Sequence, residues 1–78
     1  MERDRVEAVV LTVVAAVLKC EVNPDTSRQN TPQWDSLKHI EIMFAVEEEL
    51  KLEFSAQEMA NLDSVARIVD SALVSHAA

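Results

Sequence analysis

Glycine is absent from the 78-residue sequence, and cysteine occurs once, at Cys20. Without glycine the chain cannot form a P-loop, a dinucleotide-binding G-x-G-x-x-G turn or a calcium loop of the EF-hand type, since each requires glycine at fixed positions. A single cysteine excludes an intramolecular disulfide and a cysteine-based zinc cage, and there are only two histidines. We therefore expect no metal site and a protein of the reducing cytoplasm.

Basic residues are scarce relative to acidic ones, with 7 Lys and Arg against 14 Asp and Glu, a net charge of −7 and a pI near 4.6. Affinity for nucleic acid depends on Lys and Arg replacing the counterions of the phosphates, so this balance argues against a nucleic-acid binder. Proteins with basic surfaces are the expected partners.

The length and the hydrophobic content limit the size of the fold. Seventy-eight residues form one domain at most, residues 1–78, and a hydrophobic content of 49% excludes wholesale disorder. Because a chain of this size buries only a small core, an internal catalytic cleft is not expected. We therefore expect a single-domain monomer that is not an enzyme.

One long hydrophobic run, VEAVVLTVVAAVL from Val6 to Leu18, resembles a membrane segment. It is shorter than the roughly 20 residues that a spanning helix requires, and Glu7 interrupts it. The charged side chains of residues 1–5 are balanced, unlike the basic start of a secretion signal. The run is therefore interpreted as a buried helix of a soluble protein, with no membrane association.

The first helix is predicted from Glu2 or Asp4 to Lys19. Acidic residues in its first turn and Lys19 in its last turn match the helix dipole. Valines at helical spacing mark the buried face, namely Val6, Val10, Val13, Val14 and Val17.

A long loop and a second helix follow. Residues 20–33 contain two prolines and a run of small polar side chains, which predict a loop. Asp35 is a good N-cap, which makes Ser36 the first residue of a helix that continues to about Leu50.

Two further helices complete the predicted fold. Ser55 and Glu58 have the spacing of a capping box and predict a short helix through about Asn61. Asp63 is predicted to cap the last helix, whose buried face comprises Val65, Ile68, Val69, Ala72 and Leu73. With no strand pattern in the sequence, an all-α bundle of four helices is expected.

The second helix has two distinct stripes when its residues are placed at 100° intervals. One is a core stripe of Ile42, Met43, Val46 and Leu50. The other alternates apolar groups with carboxylates and comprises Ser36, Leu37, Ile40, Glu41, Phe44, Glu47 and Glu48. This second stripe indicates either packing against the loop or the short helix, or a docking surface for partners that present Arg or Lys.

Asp35, Ser36 and His39 superficially resemble a hydrolytic Ser/His/Asp set. However, His39 falls on the core stripe and away from Ser36, so it is predicted to be a packing residue and no catalytic residue is assigned. His76, near the chain terminus, is given no role. Ser36 itself lies at a helix N-terminus, where a phosphate ester would be stabilised.

These features together resemble an acyl carrier protein. The resemblance rests on WDSL at residues 34–37, on IEIMFAVEEEL at residues 40–50 and on the order of the helices, and it covers nearly the whole chain. It implies a four-helix bundle of the acyl-carrier type with a long first loop and a short third helix.

The resemblance also implies a function. Ser36 would receive a 4′-phosphopantetheine arm from coenzyme A through a magnesium-dependent phosphopantetheinyl transferase, with Asp35 as the cap beside it. Acyl groups would be held as thioesters on the arm. The family's partner-recognition helix corresponds to Leu37, Ile40, Glu41, Phe44, Glu47 and Glu48, so acyl-transferring, condensing or modifying enzymes with basic patches are the implied partners.

Departures from the family pattern bear on the pathway. Housekeeping fatty-acid carriers usually have a small residue at the position of Trp34 and an acidic one at that of Lys38. The form WDSL is similar to free-standing carriers of polyketide and related pathways. A fatty-acid carrier and an aminoacyl or D-alanyl carrier remain alternatives, and an acidic helical interaction module without a prosthetic group is a more distant one.

Overall fold

The computed structural model describes residues 2–76, and within them it contains four α-helices and no β-strand. The helices are α1, Arg3–Leu18; α2, Ser36–Leu50; α3, Ala56–Asn61; and α4, Val65–His76. The all-α prediction is confirmed. None of these helices is long and apolar enough to cross a membrane in the described part of the chain.

The core forms around α1, which packs against both α2 and α4. Its buried residues include Val6, Val10, Val13 and Val14, so the β-branched run is helical because its spacing buries one continuous face. On the other elements, the core comprises Trp34, Ile42, Met43, Val46, Leu52, Phe54, Leu62, Val65, Ile68, Val69 and Ala72. Three predicted core residues are only half-buried and pack against this cluster, namely Val17, Leu50 and Leu73.

The ends of α1 and α2 show how the chain terminates helices without glycine. Lys19 and Lys51 each take the left-handed conformation with φ of 55°, at a cost of roughly 1–2 kcal/mol relative to glycine. Their backbone N–H groups donate to the carbonyls of Ala15 and Glu47. The prediction of Lys19 in the last turn was wrong, because the helix ends at Leu18 and Lys19 is its cap.

Of the N-caps predicted for the last two helices, that of α3 is confirmed and that of α4 is wrong. The capping box of Ser55 and Glu58 is present and begins α3. The prediction of Asp63 as the cap of α4 was wrong, because the Ser64 hydroxyl accepts the hydrogen bond from the Arg67 N–H. The Asp63 carboxylate instead binds the side chains of Arg67 and Gln29.

The loop of residues 19–35 is fastened to the connection between α3 and α4. The Arg28 N–H donates to the Asp63 carbonyl at 2.8 Å, and the Val65 N–H donates to the Thr26 carbonyl at 3.0 Å. Residues 27 and 64 form an isolated antiparallel bridge between these bonds. We call this set of contacts the loop anchor; it fixes the loop backbone at Arg28, eight residues before Ser36.

Candidate functional site

Ser36 is exposed at the first position of α2, as predicted. Asp35 caps the helix, since its Oδ1 accepts a hydrogen bond from the Lys38 N–H at 2.9 Å. The other N–H groups of the first turn have no partner within the helix, and the positive end of the helix dipole lies there. The Ser36 hydroxyl therefore lies at the positive end of the helix dipole, next to the Asp35 carboxylate that caps it.

Arg28 adds a second positive group to this site. Its Nη2 donates a hydrogen bond to the Ser36 Oγ at 2.9 Å. A guanidinium has donors and no acceptor, so Arg28 orients the hydroxyl but cannot remove its proton. Within residues 2–76, no carboxylate forms an ion pair with Arg28. No pattern in the sequence singles out Arg28, because it lies in a loop without periodicity.

His39 is buried and does not contact Ser36. Its Nδ1 accepts a hydrogen bond from the Trp34 indole N–H at 3.1 Å, and its Nε2 is hydrogen-bonded to the Met59 carbonyl. Indole is only a donor and a carbonyl only an acceptor, so the ring is neutral with its proton on Nε2. The packing role predicted for His39 is confirmed, and both nitrogens are committed to structural bonds.

The apolar part of the second stripe of α2 is exposed. Leu37, Ile40 and Phe44 are 67%, 51% and 58% exposed, so the alternative in which they pack against the loop or α3 is wrong. Glu41 and Glu48 are exposed beside them, and Glu41 forms a 3.5 Å ion pair with Lys38. We call Leu37, Ile40, Glu41, Phe44 and Glu48 the exposed face of α2.

Glu47 differs from its neighbours. It is half-buried, and its Oε2 accepts a hydrogen bond from the Phe54 N–H at 2.7 Å. The carboxylate therefore holds the segment after α2 against the helix. The exposed face of α2 as defined above leaves Glu47 out because its Oε2 is occupied, and its predicted place on the docking surface stays a prediction.

Most of the net negative charge lies in the part of the chain that includes α2 and α3. Residues 35–63 include eight acidic side chains and two lysines, which gives this span six of the seven net negative charges of the protein. A hydrogen bond from Gln29 and the positive charge of Arg67 hold the pKa of the Asp63 carboxyl below its usual value of 3.8. The exposed carboxylates of Glu41 and Glu48 favour contact with basic groups.

Other features of the described residues lie outside this site. An open apolar groove of about 480 Å³ runs between α1 and α2, lined by residues that include Val9, Val13 and Ala45. Helical spacing places Ala45 on the side of α2 opposite Ser36. Cys20 is a half-buried free thiol, and no group of side chains within residues 2–74, where side chains are described, is suited to hold a metal ion. The side chain of His76 lies outside what the structure describes.

Comparison of the sequence with models of known protein families finds no match, and comparison with curated proteins finds no significant match. The functional interpretation therefore depends on the site itself: an exposed serine hydroxyl at a helix N-terminus, oriented by an arginine and followed by an exposed apolar and acidic helix face.

Proposed function

We propose that the protein is an acyl carrier protein of the four-helix type, with 4′-phosphopantetheine attached to Ser36. The observation that supports this most is the position of the Ser36 hydroxyl, exposed as the first side chain of α2 and directly followed by the exposed face of that helix. Ser36 is then an acceptor hydroxyl, and the base for its modification belongs to the transferase, because Arg28, its hydrogen-bond partner in the described chain, cannot accept a proton.

The residues around Ser36 suit a phosphodiester. The Oγ atom is at the surface, so attachment displaces no core side chain. The first turn of α2 and the Arg28 guanidinium place positive groups beside it, and anions are stabilised in that environment. When bound, the arm supplies a terminal thiol that holds acyl groups as thioesters.

The exposed face of α2 is proposed as the surface that partner enzymes recognise. Its apolar centre and acidic rim match the composition of an interface for a basic patch. The expected partners are a phosphopantetheinyl transferase and acyl-transferring, condensing or modifying enzymes. A flexible arm makes delivery a matter of high local concentration, while this face selects the partner.

The pathway we favour is polyketide or related natural-product biosynthesis in the cytoplasm, on the basis of the WDSL form at residues 34–37. A fatty-acid carrier and an aminoacyl carrier use the same attachment chemistry. They are distinguished by which acyl or aminoacyl donor enzyme loads the arm.

The test is to incubate the unmodified protein with coenzyme A, Mg²⁺ and a promiscuous phosphopantetheinyl transferase and to measure the intact mass. We expect a gain of one phosphopantetheinyl group that Ser36→Ala abolishes. Ser71→Ala is the matched control, because Asp70-Ser71 repeats the Asp-Ser dipeptide in the interior of α4. This substitution should leave modification unchanged. No gain in mass would overturn the proposal and favour the interaction module without a prosthetic group, whereas a gain that persists in Ser36→Ala would overturn Ser36 as the attachment site.

A further inference from the structure

We infer that Arg28 is a positioning residue for the phosphate of the arm: its guanidinium orients the Ser36 Oγ before transfer and binds the phosphodiester oxygens afterwards. This inference rests on the proposed function. It assigns a role to a loop residue that lies outside the WDSL motif and outside the exposed face of α2.

The loop anchor holds Arg28 where this role requires it. Its backbone N–H donates to the Asp63 carbonyl at 2.8 Å, while its Nη2 lies 2.9 Å from the Ser36 Oγ. The neighbouring Gln29 side chain donates to the Asp63 carboxylate at 2.7 Å. The backbone at Arg28 is thus fixed by contacts that do not involve Ser36, which keeps the guanidinium within reach of Oγ.

The charge of Arg28 is available for a ligand. Arg3, Arg67 and Lys38 each form an ion pair with a carboxylate of the described chain. Arg28 forms none with residues 2–76, and its side chain is hydrogen-bonded to a neutral hydroxyl. Esterification of that hydroxyl places anionic oxygens within reach of the same guanidinium, where charge-assisted bonds to phosphate are stronger than a bond to a neutral oxygen.

The transfer step shows where Arg28 acts. Ser36 Oγ forms a bond to the phosphorus of the pantetheine-bearing phosphate of coenzyme A. The P–O bond between that phosphorus and the adenosine-bearing phosphate breaks, and the hydroxyl proton leaves to a base of the transferase. The guanidinium neutralises charge on the phosphoryl oxygens during this displacement. Because Arg28 does not accept the proton, its effect is on geometry and charge, and Lys should replace it in part.

The first measurement is the steady-state rate of arm transfer to the wild type, Arg28→Ala, Arg28→Lys and Arg5→Ala. Arg5→Ala is the matched control, because it removes the same charge at a residue beside the C-terminal end of α2. The helix is about 20 Å long, and Ser36 lies at its other end. We expect Arg28→Ala to lower kcat about 5- to 10-fold with a smaller change in KM. Arg28→Lys should recover part of this loss, and Arg5→Ala should match the wild type.

The second measurement is ³¹P NMR of the modified proteins, which reports on the phosphodiester without any partner enzyme. We expect Arg28→Ala to shift the resonance, and added salt to shift the wild-type resonance in the same direction. Circular dichroism melts of all variants establish that they are folded. Arg28→Gln, which keeps the length of the side chain without the charge, is the second variant if Arg28→Ala does not fold.

The outcomes separate this inference from the proposed function. If the wild type gains no arm, the proposed function fails and the inference fails with it. If the wild type gains the arm but kcat and the ³¹P resonance of Arg28→Ala equal those of the wild type, only the inference fails. Equal losses in Arg28→Ala and Arg5→Ala would also overturn it, since they would indicate a general effect of charge.

Discussion

The indole N–H of Trp34 donates to Nδ1 of His39 across 3.1 Å inside the core, with the two rings stacked at an interplanar angle of 29°. Trp34 is 2% and His39 7% exposed. The other ring nitrogen of His39 is hydrogen-bonded to the Met59 carbonyl of α3. These two hydrogen bonds join Trp34, two positions before Ser36, to α2 and to α3.

We predict that Trp34→Phe lowers the free energy of unfolding by about 1–3 kcal/mol, because it leaves Nδ1 of His39 buried without a donor. Urea denaturation measures this change. His39→Leu alone and the double variant Trp34→Phe/His39→Leu complete the cycle: His39→Leu also removes the donor to the Met59 carbonyl, so the double variant should lose less stability than the sum of the two single variants. Additive effects of the two single changes would contradict the coupling, and ¹⁵N spectra of the wild type should show the Nε2–H tautomer of His39.

Glu47 and Glu48 are adjacent in sequence but are predicted to have separate roles. Glu47→Ala should lower stability by about 1–2 kcal/mol, because the Phe54 N–H loses a charged acceptor. Glu48→Ala, on the exposed face of α2, should change stability by less than about 0.5 kcal/mol. Thermal melts and transfer rates measured on both variants test this: Glu47→Ala should affect mainly the melt and Glu48→Ala mainly the rate. The opposite pattern would restore Glu47 to the docking surface.

Much of the fold follows from local rules in the sequence. The Asp35 cap and the capping box of Ser55 and Glu58 were predicted because donor and acceptor lie within one turn of the same helix. The core stripe of α2 was predicted because its spacing depends only on helical geometry, and Ile42, Met43 and Val46 are buried.

The contacts that local rules do not predict are made by the loop before α2 and by the connection between α3 and α4. Asp63 and Ser64 are both good caps, and Ser64 caps α4 while the Asp63 carboxylate binds Gln29 from the loop before α2. In the same way, the bond between Arg28 and Ser36 spans a loop without periodicity. Contacts of this kind are fixed by tertiary structure, so no spacing in the sequence predicts them.

The stability of the fold depends on pH through the Asp63 carboxyl. The pKa of Asp63 is lowered in the folded state. Its contribution to the free energy of unfolding is therefore fully present above about pH 5 and is lost as the pH falls through the lowered pKa. The difference in unfolding free energy between the wild type and Asp63→Ala should therefore be about 1 kcal/mol near neutral pH and should shrink in acid. Denaturation in urea at a series of pH values measures it. Gln29→Ala should remove most of this dependence, because the Gln29 hydrogen bond is its main cause, and a difference that grows in acid would contradict the assignment.

The acidic rim of the exposed face of α2 should control the rate at which basic partners associate. We predict that Glu41→Lys and Glu48→Lys each slow arm transfer several-fold at low salt, with the rates converging on the wild type above roughly 0.5 M salt, where screening removes the steering. Glu49→Lys is the matched control, since it makes the same change of charge on the same helix but at a residue that lines the groove beside α1. Transferase kinetics across a salt series measure all three. If Glu49→Lys slows transfer as much as the other two, the net charge of the protein controls association, and the exposed face of α2 is not the docking surface.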